Sequence, residues 1–225
     1  MGLFFVSATS MQLDKEKAKR VFRLVRDLED VMRQYCKDKG ESIPVPWENA
    51  VDSVEQMVGI KIKVERKLTE AQEPNGMILR YSDKTADIKV RRGLTDDMEN
   101  FTIVKEAMQL LVDEEGDLST DVAGTLTHLR KSSWFSDGDG KDDLEPVLHS
   151  EHLSTIAAAA AVVPRSRRAD YIAAVGKGET TIAKIAAEIN VPEHIVELAL
   201  DPSFIECCEE ALATEPMSEL AVVGG

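Results

Sequence analysis

The stretch Phe101-Thr-Ile-Val-Lys-Glu-Ala-Met-Gln-Leu-Leu-Val112 decides the reading of the fold. At roughly 100° per residue, Thr102, Lys105, Glu106 and Gln109 share one arc of a helical wheel, and Phe101, Ile103, Val104, Ala107, Met108, Leu110, Leu111 and Val112 fill the rest. Such a helix is expected to be buried on most sides and to carry a single polar stripe. Thr95-Asp-Asp-Met98 supplies its start, because carboxylates favour the positive end of a helix. Within the stripe, Lys105-Glu106-Ala107-Met108-Gln109 keeps the frame of a zinc-hydrolase helix, in which positions i and i+4 aim two imidazoles at one metal and the glutamate at i+1 polarises the bound water. Lysine and glutamine stand at the imidazole positions. A protonated ammonium cannot ligate zinc, and a carboxamide is a poor ligand beside imidazole. No metal, cofactor or catalytic residue is therefore expected, and Lys105, Glu106 and Gln109 read as a vestigial site. The plain alternative is an amphipathic helix with a solvated polar face.

Upstream, Ala18, Val21, Leu24, Val25, Leu28, Val31, Met32 and Tyr35 recur at helical spacing and predict a long amphipathic helix from Asp14 to about Lys37. Gly40-Glu-Ser-Ile-Pro-Val-Pro46 interrupts it, and a second helix runs from Trp47 to Val58, stopping at Gly59. Ile60–Val64, Gly76–Tyr81 and Ala86–Val90 read as strands, with a turn at Glu73-Pro-Asn-Gly76. A small antiparallel sheet is expected from them. Downstream come a polar loop from Ser136 to Glu145, an alanine-rich helix from Glu151 to Val163 closed by Pro164, and two short helices between Thr180 and Leu200. The fold class is α+β, mostly helical, and the chain is expected to divide into a domain over 14–170, a helical segment over 178–212 and a flexible tail over 213–225.

With 225 residues, 43% hydrophobic and 30% charged, the chain has the composition of an ordinary soluble globule. Its 41 acidic and 27 basic residues leave a net charge of -14, which repels phosphate backbones and anionic membranes. Nucleic acid is not an expected partner. Cys36, Cys207 and Cys208 form no C-x-x-C spacing and read as reduced thiols. Met1-Gly-Leu-Phe-Phe-Val6 lacks the charged n-region of a secretion signal, Val6 spoils a myristoylation pattern, and no apolar run is long enough for a membrane span. A cytoplasmic location is expected.

Other candidate sites are weaker. His149 and His152 lie three apart, as one helix face could present two ligands, but His128 and His194 are distant and all four suit a surface or capping role. Asp137-Gly-Asp-Gly-Lys-Asp142 resembles a calcium loop, except that Lys141 and Asp142 stand where an oxygen ligand and a glycine are needed. Ala186, Asn190-Val-Pro192, Ile195 and Leu198 match the core spacing of a helix-turn-helix. Its second helix carries Glu193, His194 and Glu197, which suits packing or a protein partner better than DNA. Arg165, Arg167 and Arg168 make the densest basic patch.

The order of these elements resembles the ImmA/IrrE-type metallopeptidase-like family, whose helix looks like Phe-Thr-(Ile/Leu)-Ala-His-Glu-(Leu)-Gly-His-Leu-Leu. Phe101, Thr102, Ile103, Glu106, Leu110 and Leu111 fit that pattern, while Lys105, Met108 and Gln109 depart from it. The resemblance runs through most of residues 14 to 200: a helix and the strand Gly59-Ile-Lys-Ile-Lys-Val64, a short sheet, the 101–112 helix, Ala157–Pro164, and the segment from Thr181 to Leu200. It implies a zincin-like scaffold and a bacterial or prophage setting. It also implies a third metal ligand, a glutamate, on the alanine-rich helix. Glu151 is the nearest acid there, and Leu153 stands where an acid is often found, so that position has no assigned occupant. Members of the family are often encoded with repressors and cleave them. The function this implies is that of a pseudo-peptidase acting by protein-protein interaction on a transcriptional repressor or other regulator. The alternatives are a hydrolase with an unorthodox site and a DNA-binding regulator using the helix-turn-helix segment.

Overall fold

The computed structural model describes residues 15–39, 47–68, 74–113 and 146–213. In chain order these form α1 (Lys15–Lys39), α2 (Trp47–Val58), β1 (Lys61–Leu68), β2 (Gly76–Arg80), β3 (Thr85–Arg91), α3 (Asp96–Val112), α4 (Pro146–Val162), α5 (Arg165–Gly176), α6 (Ile182–Ile189), α7 (Glu193–Leu200) and α8 (Pro202–Ala213). The class is α+β, mostly helical with one small sheet. Among the described residues no helix is long and apolar enough to cross a membrane.

The apolar residues of α1 do what their spacing predicts: Val21, Val25, Leu28 and Met32 form one buried ridge. The core is centred on α3, whose Ile103, Ala107 and Met108 have no exposed surface. Its most extensive helical partner is α4, where Ala157 to Ala161 are all buried. A run of methyl side chains lets two helix backbones approach closely, so the alanine-rich sequence is the contact surface for α3. α8 closes the far side of α1, with the Phe204 ring edge-on to Phe22 at 5.4 Å.

The sheet corrects one expectation. It is mixed rather than antiparallel, in the order β1-β3-β2. β2 and β3 form an antiparallel hairpin in which Ile78 faces Ile88, but β1 runs parallel to β3, with Ile62 opposite Ala86 and Val64 opposite Ile88. The central strand β3 has the most complete alternation: Ala86, Ile88 and Val90 are fully buried and the residues between them are half-exposed. Alternation marks a strand and its inner face without naming its neighbour, so the local pattern cannot predict this order.

Two further elements differ from expectation. α4 begins at Pro146 rather than Glu151, with proline in the first turn, where its missing N–H costs nothing. The basic run after Pro164 is itself helical, as the start of α5. The expected helix-turn-helix is present as α6 and α7. Thr181 caps α6, its Oγ1 accepting a hydrogen bond from Lys184 N at 3.2 Å, and Asn190 ends that helix in the left-handed region at φ 52°.

Candidate functional site

The polar stripe of α3 is not solvated. Thr102 is 4% exposed, Glu106 2% and Gln109 8%, so the helix is buried on its polar side as well as its apolar ones. Burial of polar groups is tolerated only where they satisfy one another. What covers the stripe is α4 on one side and the hairpin strand β2 on the other.

Glu151, from α4, faces the stripe. Its Oε1 accepts a hydrogen bond from Gln109 Nε2 at 2.5 Å, and its Oε2 is paired with Lys105 Nζ. Lys105 Nζ also donates to Glu106 Oε1 at 3.0 Å, so one ammonium bridges two carboxylates on different helices. Burial alone would lower the proton affinity of Lys105, but the charges of Glu106 and Glu151 outweigh it and hold Lys105 above its ordinary value. Burial moves Glu106 upward as well, against the pull of Lys105, and Glu151 adds to the rise. The cluster is therefore a fixed cation among carboxylates, with the lysine firmly protonated.

A second set of contacts continues along the same side. Arg80, at the end of β2, donates from Nη2 to Gln109 O at 2.7 Å and to Asp113 Oδ2 at 2.6 Å, while Ser150 Oγ donates to Asp113 Oδ1. Arg80 thus adds a second donor to the Gln109 carbonyl, which also accepts from the C-cap Asp113 N at 3.0 Å. At the other end of β2, Gly76 lies directly over the stripe. A Cβ built there meets Thr102 Cγ2 at 2.5 Å and Glu106 Cγ at 2.9 Å, contacts no side chain can relieve without displacing α3 or β2. Glycine at 76 is what lets the strand approach Glu106 this closely.

The three sequence-predicted residues Lys105, Glu106 and Gln109 are thus together, and Glu151 joins them, while Leu153 is buried in the core. In the sequence Glu151 is no more than the nearest acid on the alanine-rich helix, and nothing there places Arg80, Asp113 and Gly76 at the site. The one available signal for Arg80 and Gly76 is their position on the same face of a strand, and Asp113, the C-cap of α3, has none. The donor set does not suit the zinc ion that the family resemblance implies. Lys105 places a protonated amine between the two carboxylates, and Gln109 directs its amide N–H2, a donor, at Glu151. Among the described residues no group of three His, Cys, Asp or Glu side chains could hold a metal ion.

No family model and no curated protein matches the chain. The residues themselves are left to carry the family resemblance.

The remaining candidates are dispersed. His194 is exposed on α7 beside Glu193 and Glu197, and Ile195, Val196, Ala199 and Leu200 form that helix's buried side. The face that α7 turns outward is acidic, as its sequence predicts. The arginine patch is consumed internally. Arg165 pairs with Glu209 at 2.6 Å, Arg167 lies over the Tyr171 ring at 5.1 Å, and Arg168 is buried, donating to Val163 O at 2.8 Å and Ala160 O at 2.9 Å. Cys208 touches that guanidinium and its thiol is pushed up to about 12 by burial, which makes it an inert packing residue. The calcium-like loop at 137–142, His128, the tail from 214 onward and the side chains of Cys36 and His149 lie outside the described residues.

Proposed function

We propose that this chain is a non-catalytic member of the ImmA/IrrE-type metallopeptidase-like proteins, built on a zincin-like scaffold, that acts by binding another protein, a transcriptional repressor or other regulator. The observation that carries the reading is the Lys105 ammonium between Glu106 and Glu151. In a zinc hydrolase the metal ion supplies the positive charge that gathers carboxylates on facing helices and lowers the pKa of a bound water. Here a covalently tethered ammonium supplies the charge and offers no coordination site for water. Helix packing and electrostatic balance are retained while the chemistry is lost.

A route for the partner is supported by β2. The bonds Tyr81 N to Thr85 O and Arg91 N to Asn75 O fix the odd residues of β2 as those bonded to β3. The N–H and C=O groups of Gly76, Ile78 and Arg80 therefore point away from the sheet. Among the described residues no strand pairs with that edge, and Met77-Ile78-Leu79 bears no charge or proline to block one. An extended segment of the regulator adds to β2 as a further strand beside the Lys105 cluster.

The test is co-purification with the regulator encoded beside this chain, with intact mass of the partner and elemental analysis of the complex. The partner is expected to be recovered uncleaved with no stoichiometric zinc, and Ile78→Pro, which removes one edge N–H, is expected to weaken binding at least tenfold in a protein that still melts cooperatively. A shortened partner with about one zinc per chain after dialysis would restore the hydrolase reading.

A further inference from the structure

A cleft of about 500 Å³ opens on the side of α3 away from the Lys105 cluster and shares no residue with it. Its size is that of a small-molecule or side-chain pocket. Met32 of α1, Val104 of α3 and Val162 of α4 contribute apolar surface, and the turn between α6 and α7 closes one end with Asn190 and Val191. The mouth carries Glu48, Asp96, Glu99 and Glu188 against Arg66, the single cation among its described residues. Trp47, half-buried at the start of α2, stands in the same wall.

The charges are unequally matched. Arg66 is spent on Glu99, donating from Nε at 2.7 Å, and Glu188 has a loose partner in Arg167 at 3.7 Å. Glu48 and Asp96 are exposed and have no ion pair among the described residues. Both sit in the first turns of their helices, where the dipole favours negative charge. Arg66 also shows what this mouth accepts: Glu99 raises its proton affinity first, and Asp96 and Glu48 add to the effect from nearby. An apolar floor, an indole in the wall and carboxylates at the mouth are the complement of a long aliphatic stem ending in a planar cation.

We propose that this cleft binds an arginine side chain presented by an extended segment of a partner protein, the guanidinium lying between Trp47 and the carboxylates of Glu48 and Asp96. The methylene stem covers Val104 and Val162, and the net charge of -14 draws a basic segment to the site. The proposal is independent of the non-catalytic reading, since it involves neither the Lys105 cluster nor β2.

The experiment titrates the full chain with a five-residue peptide, blocked at both ends, carrying one central arginine among alanines. The readout is the Trp47 indole N–H resonance, assigned by its loss in Trp47→Phe. Saturable movement of that resonance is expected. The same peptide with citrulline, which keeps the shape and loses the charge, is expected to bind at least tenfold more weakly. Glu48→Gln combined with Asp96→Asn, both exposed and checked by thermal melting, is expected to reduce affinity by a similar factor. Equal binding of the citrulline peptide, or an unmoved Trp47 signal, overturns the proposal. Binding of arginine amide as tight as that of the peptide also overturns it, in favour of a free small cation as the ligand.

Discussion

Two cations, Arg168 buried and Lys105 largely covered, lie toward opposite ends of α4, and they solve the same desolvation problem in different ways. Arg168 meets the C-terminal end of the helix, where its guanidinium donates to the carbonyls of Ala160 and Val163 and lies over the Phe204 ring at 5.5 Å. Those acceptors exist in any helix that ends there, so the arrangement is a cap that the fold requires. Lys105, nearer the other end, is held by two carboxylates that no helix terminus demands. Each acid adds its own burial cost, and a hydrophobic trio would serve packing as well or better. The contrast teaches that the Arg168 contacts explain themselves structurally, whereas the Lys105 cluster needs a reason beyond stability. In the function proposed above, that reason is the replacement of a metal's charge by a tethered ammonium.

The largest expected effect tests that contrast directly. Lys105→Met removes the cation and leaves Glu106 and Glu151 facing each other, so denaturant melts at pH 7 are expected to show a loss of about 3–5 kcal/mol. The pH dependence has a definite sign. Glu106 is already raised by burial, and without Lys105 it rises further. The variant's deficit is expected to shrink on acidification from pH 7 toward pH 5, as Glu106 takes up a proton and its buried charge disappears. In the unaltered protein the folded-state value of Lys105 is raised, so its contribution is present below the ordinary lysine pKa and is lost as pH rises through the folded value. The unaltered protein is therefore expected to lose stability at alkaline pH that the variant does not.

Arg168→Met is expected to cost less, about 2 kcal/mol, because it mainly leaves neutral carbonyls short of donors, and Glu29, which also feels its charge, keeps the hydrogen bond from Arg165 N. Its deficit is expected to stay nearly constant between about pH 6 and pH 9, and parallel melts of the two variants separate the cap from the ion cluster. The smallest effect is expected from Lys105→Met combined with Glu106→Gln, which removes charges of both signs. Stability within about 1–2 kcal/mol of the unaltered protein is expected. A double variant as unstable as Lys105→Met alone would show that the cluster is a structural device like Arg168.

Much of this was legible in the chain itself. The period of α1 and α3, the alternation in β3 and the Asn190-Val-Pro192 turn are local patterns, and backbone geometry converts each into an element without outside help. The near-total burial of α3 was only half legible, because a polar stripe in sequence looks the same whether it faces water or Glu151. The arginine patch was misleading for a similar reason: Arg165, Arg167 and Arg168 are adjacent in sequence, but a helix turns them toward Glu209, Tyr171 and the end of α4 respectively.

By itself the sequence determined where most of the helices and strands lie, α5 and the start of α4 excepted, that Lys105 and Gln109 share one helix face, and that both differ from the imidazoles a zinc helix needs. Those statements depend on residues within a few positions of one another. The tertiary structure alone decided the β1-β3-β2 order, the approach of Gly76 to Glu106 and the meeting of Gln109 with Glu151, 42 residues further along the chain. Contacts at that separation follow from how whole apolar faces of helices and sheet are buried together, a sum over the core that no local spacing encodes.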